Sequence, residues 1–139
     1  GVIPDTPPCT VETGHGTHVA STVGGSTFGV AKGATIVAVQ VFSSCTGGKG
    51  ADSDTLAGME WSVNDASARG VPAVLQMSLG GAPIAAYTQM VEWAFSRGIL
   101  TIAAAGNDDV DACGVMPAAV PIAVTVASTT STVDTDYKS

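Results

Sequence analysis

Positive charge is scarce in this sequence: five Lys and Arg residues stand against twelve Asp and Glu, for a formal charge of -7. A phosphate-binding surface relies on clustered cations, so no nucleic acid is expected as a partner. Long apolar runs are missing too. No stretch approaches the roughly 20 residues needed to cross a bilayer, and the opening "GVIPDTPP" has no charged segment followed by an apolar one. Neither a membrane span nor a signal peptide is expected, although a secreted chain would look the same after processing. Cysteine is sparse. Cys9, Cys45 and Cys113 are too few for a disulfide scaffold and lack metal-ligand spacing. They are either unpaired small hydrophobic residues or one internal bridge plus a cysteine paired elsewhere. No D-x-D-x-D-G loop marks a calcium site, though an acid-rich surface suits hard cations. The glycine-rich "GGKG" at 47–50 lacks the spacing of a phosphate loop.

What is present is a chain of 139 residues, 45% hydrophobic and with seventeen glycines, enough for one core and too short to suggest two domains. Residues 1–13 are proline-rich and read as an irregular lead-in. "HGTHVASTVGG" reads as a short helix ended by Gly24 and Gly25, with Thr, Val and Gly content that demands tertiary support. Ala34–Phe42, "ATIVAVQVF", is β-branched and apolar throughout, which suits a strand covered on both faces. "SDTLAGMEWSVNDASARG" reads as a helix, with Ser53 as N-cap, Asp54 in the first turn, Arg69 in the last and Gly70 at the end. "VPAVLQMSL" follows as a strand, "PIAAYTQMVEWAFSRG" as a helix closed by Arg97 and Gly98, and "ILTIAAAG" and "VPIAVTVAS" as strands. Strands alternating with helices predict an α/β fold with a mostly parallel sheet. Chemistry in such sheets gathers where strands end, at "CTGGKG", "SLGG" and "AAGND".

Both histidines lie in "GHGTHVAS", three residues apart. They supply only two metal ligands, and nothing nearby completes a zinc site. Two readings remain: packed residues on one helix face, or one catalytic base and one supporting neighbour. A base needs a neutral imidazole, an orienting carboxylate and a nucleophile, and the glycines beside His15 leave room for a substrate.

"GHGTHVAS", "GVAKGATIVAVQVF", "MSLGG" and "AAAGND", in that order, resemble the subtilisin-like serine protease family, in particular its proteinase K and aqualysin branch. The resemblance extends from Thr13 over nearly the whole chain and implies a three-layer domain, incomplete in this chain. It implies that His15 is the general base, His18 its structural neighbour and Asn107 the oxyanion-hole donor, a task for a neutral amide rather than for Asp108 or Asp109. It also implies a groove for an extended peptide substrate, with Ser78, Leu79 and Gly80 on one wall and Gly48 and Gly50 on the other. Ala104, Ala105 and Gly106 would line a first specificity pocket open to apolar side chains. A Cys9–Cys45 bridge, a partner for Cys113 beyond this chain, secretion, and structural calcium in the complete domain follow from the same resemblance. No cofactor is implied for the chemistry.

The departures bear on activity. The family's catalytic aspartate lies in a D-[ST]-G strand, whereas Asp5 stands in "PDTPP". Its nucleophile lies in a G-T-S-M-A-x-P segment that does not occur here, and Ser128 and Ser131 sit in the unrelated "VASTTS". Ser21 and Ala127 stand where the family more often has glycine. The expectation is therefore a fragment of a peptidase domain, inactive alone, whose partner is the remainder of that domain. The alternative is a noncatalytic subtilisin-like module that binds peptides or serves as a structural subunit. A Rossmann-type cofactor protein fits only the coarse alternation, since no glycine fingerprint opens a helix.

Overall fold

In the computed structural model, which describes residues 14–42 and 49–129, the weak helix former HGTHVASTVG folds as helix α1 (His15–Gly24). Two units follow one another along the chain, Gly1–Gly58 and Met59–Ser139. In the first, α1 is closed by local bonds. The His18 N–H donates to Gly14 O at 2.9 Å, and the hydroxyls of Ser21 and Thr22 donate to the His18 carbonyl at 2.8 and 3.0 Å. The helix ends where expected, with the Gly25 N–H donating to Ser21 O. No residue of α1 is buried, and the tertiary support its composition calls for comes from the chain that follows: the N–H groups of Val30 and Ala31 donate to Thr22 O and Val23 O at 3.3 and 2.7 Å.

The strand expected at Ala34–Phe42 does not form: the described strands lie elsewhere, and no ladder reaches this segment. A β-branched run favours a strand only where a partner chain and covering side chains meet it. Here Ile36, Val37 and Val39 remain 45%, 45% and 37% exposed. The segment instead rests on helices of its own unit. A Cβ on Gly24 would come 3.1 Å from the Ile36 side chain, and one on Gly58 would collide with Val41.

Helix α2 (Asp52–Arg69) carries Asp52 and Asp54 in its first turn and Arg69 in its last, charges that complement the helix dipole. It starts ahead of the expected cap Ser53: the Ala51 carbonyl accepts from the N–H groups of Asp54 and Thr55 at 3.0 and 3.2 Å. Gly70 (φ 65°) ends α2, and Gly98 (φ 76°) follows α3 (Ala85–Ser96), both in the left-handed region that favours glycine.

In the second unit, β1 (Val74–Met77), β2 (Leu100–Ala104) and β3 (Val124–Val126) form a parallel sheet in the order β1-β2-β3. Val74 pairs with Leu100 and Ile102 with Val124. Strand alternation sends Met77, Thr101 and Ala103 to the buried face. There the core gathers Val63 of α2, Ala94 of α3 and Ile99, with Leu75 and Trp93 packed against them. Tyr87, Val91 and Ala94 form the buried stripe of α3, at the spacing of one helix face. The opposite sheet face is open: Val74, Val124 and Val126 are 58%, 44% and 52% exposed. Within this unit the described residues form an α/β arrangement with helices packed on one face of the sheet, where parallel sheets are normally covered on both.

Candidate functional site

The residues singled out in the sequence fall in both units. His15 opens α1, exposed in its first turn, and a Cβ on either flanking glycine, Gly14 or Gly16, would meet nothing within 4 Å. The backbone on either side of His15 is thus uncrowded. His18 is exposed as well. Its support of the helix comes through backbone bonds to Gly14, Ser21 and Thr22 rather than through a packed ring. Gly50 lies against Phe42, whose Cδ1 a Cβ would approach to 2.5 Å. Asp5, Cys9, Cys45, Gly48 and Ser131 lie outside the described residues.

In the second unit, the loops leaving β1 and β2 carry the other residues, as expected of a parallel sheet. Ala104 remains in β2, paired with Val126. The Ala105 N–H extends the ladder by donating to Val126 O at 3.0 Å. Gly106 then turns with φ 107°, a conformation that glycine adopts without strain, and presents Asn107 to solvent. The loop after β1 carries Ser78, Leu79 and Gly80. Its end is held by an antiparallel bridge, in which the Gly81 N–H donates to Met116 O at 2.9 Å and the Met116 N–H to Gly81 O at 3.1 Å.

Val115 joins the two loops. A Cβ on Gly80 would lie 2.9 Å from its Cγ1, and one on Gly106 would lie 4.0 Å from its Cγ2. Sequence reading missed Val115 and Met116, because they lie in an irregular stretch after a 3-10 turn (Ala112–Gly114) with no period to mark them.

A cavity of about 170 Å³ is lined by Ala105, Gly106, Asp108, Asp109, Val110, Ala127 and Ser128. Two of the three residues expected around a first pocket are present, but Ala104 is not. The apolar lining expected there is interrupted by two carboxylates.

The Asp111 carboxylate caps the 3-10 turn, accepting from the Cys113 N–H at 2.9 Å. That backbone bond, reinforced by the Cys113 side chain, holds the Asp111 carboxyl below its usual range. In return, the hydrogen bond to Asp111 and then its negative charge push the exposed Cys113 thiol up. Among the described residues, no three His, Cys, Asp or Glu side chains gather as metal ligands.

Comparison with known proteins identifies the family. The model of the subtilase family matches residues 4–138, and the chain belongs to that family. It is 46% identical over 125 residues to an extracellular serine proteinase of Thermus sp. (strain Rt41A), covering 90% of this chain and 28% of that protein. It is 48% identical over 119 residues to alkaline serine exoprotease A of Vibrio alginolyticus, covering 86% of this chain and 21% of that protein. Among solved structures, a cold-adapted subtilisin-like serine proteinase matches with a TM-score of 0.77 and 47% identity over 84% of this chain and 41% of that one. The chain thus spans between about a fifth and three tenths of these two curated relatives.

Proposed function

We propose that the protein to which this chain belongs is a secreted serine endopeptidase, with His15 as general base and Asn107 as oxyanion donor. Family membership supports the reaction class. The observation that carries the assignment within this chain is Asn107, a neutral amide exposed just beyond the carboxyl end of β2 behind the turn at Gly106.

A serine supplied by the rest of the protein adds its Oγ to the scissile carbonyl carbon while His15 takes the hydroxyl proton. The carbonyl π electrons move to oxygen, and the Asn107 amide donates to that oxyanion. Collapse of the intermediate expels the amine, which receives its proton from His15, and water repeats the cycle to free the acid. An aspartate outside this segment orients His15. The chain alone, without these partners, hydrolyses nothing.

The substrate is an extended peptide, and the family resemblance assigns contacts with it to Ser78, Leu79 and Gly80 and, separately, to Gly48 and Gly50. Ala104, Ala105 and Gly106 are assigned to the first specificity pocket, which takes an apolar side chain.

In the complete protease, His15→Ala should lower kcat by about 10⁶-fold, the cost known for this family's base. Asn107→Ala should lower it by about 10²–10³-fold, the cost known for the oxyanion asparagine of subtilisin. Steady-state kinetics on a chromogenic peptide read both. Unchanged kcat in either variant removes that residue's role, and cleaved peptide from the isolated chain contradicts the division of labour.

A further inference from the structure

Gln76 is a polar side chain in an apolar setting. On the open face of the sheet its ladder partner is Ile102, which pairs in turn with Val124, and Val74 precedes it on the same face of β1. Gln76 is exposed, so solvent accommodates its amide, and what distinguishes the residue is the side chain it bonds. Residues i and i+2 of a strand share a face roughly 6.6 Å apart, a span its side chain covers. Its Nε2 donates to Ser78 Oγ at 2.8 Å.

Ser78 begins the loop that ends at Gly81, where the paired backbone bonds to Met116 hold the chain. The loop is thus held at its far end by backbone and at its near end by the Gln76 amide. Because Gln76 donates, the Ser78 oxygen is the acceptor and its own hydrogen points away from Gln76.

We propose that Gln76 is a positioning residue of the peptide groove, which sets how firmly an extended substrate is held by fixing the Ser78 hydroxyl and the start of the groove wall. The inference rests on the reading of Ser78, Leu79 and Gly80 as that wall.

The test is a double-mutant cycle in the complete protease, assayed on a tetrapeptide anilide. Gln76→Leu keeps bulk and removes the donor. It should raise KM by about 3- to 10-fold, the scale of one hydrogen bond, with a smaller change in kcat. Ser78→Ala should raise KM similarly, and the double variant should lose no more than either single one. Gln76→Glu, which can accept from Ser78 instead of donating, should recover part of the loss. An unchanged KM in Gln76→Leu, a loss confined to kcat, or strictly additive effects would overturn the role of Gln76 while leaving the groove intact. A wild-type protease that cleaves no peptide overturns the groove reading and this inference with it.

Discussion

Thr101 offers a test of the core that is independent of function. It lies in the middle of the sheet with 1% of its surface exposed, and its Oγ1 has no hydrogen-bond partner. A buried hydroxyl without a partner costs about 1–3 kcal/mol of desolvation. Thr101→Val replaces it with a methyl of similar size and keeps the β-branched shape that suits a strand. The variant should therefore gain about 1–3 kcal/mol, which for a chain of this length raises Tm by roughly 3–5 °C per kcal/mol. Thr125→Val supplies the contrast, because Thr125 Oγ1 donates to Ala118 O at 2.6 Å. Its loss should cost about 0.5–1.5 kcal/mol. Urea unfolding followed through Trp93, which packs on the core, reads both as shifts in midpoint at constant slope. If Thr101→Val lowers the midpoint or leaves it unmoved, the hydroxyl has a partner and the reasoning fails.

Two further outcomes follow from the site. Gly80→Ala puts a methyl 2.9 Å from Val115 Cγ1; this overpacking should cost about 1–3 kcal/mol, and adding Val115→Ala should relieve it, as thermal unfolding of the single and double variants would show. Because the bond to Asp111 pushes the Cys113 thiol up, less thiolate is present at neutral pH and the alkylation profile lies at higher pH than for an ordinary thiol. In Asp111→Asn that profile should move to lower pH and the rate at neutral pH should rise, measured by intact mass after timed iodoacetamide exposure. An unmoved profile would remove the Asp111 contribution.

Much of the second unit was legible because its signals are local. Apolar periodicity, Arg69 with Gly70 and Arg97 with Gly98 mark two helices whose ends depend on nearby residues, and both ended where those signals lie. Their starts moved: α2 begins at Asp52 because Ala51 offers its carbonyl two residues ahead of Ser53, and α3 begins at Ala85 rather than Pro83. Ala34–Phe42 was not legible in the same way. Its composition describes what a strand would need, while the ladder and covering side chains must come from elsewhere in the fold.

The site divides likewise. His15 and Asn107 occupy exposed positions at the start of a helix and the end of a strand, which order along the chain foretells. The approach of Val115 to Gly80 and Gly106 depends on a loop that returns across the strand ends, and no spacing encodes that return. Asp108 and Asp109 were weighed only as competitors of Asn107, so their place on the cavity wall was missed.

The central claim, that His15 activates a serine in the protein containing this chain, is tested most directly by fluorophosphonate labelling of the complete protein with intact-mass detection. One adduct should form on a serine outside these 139 residues, and His15→Ala should slow its formation by several orders of magnitude. A wild-type protein that takes up no label, or a His15→Ala variant labelled as fast as wild type, would contradict the account.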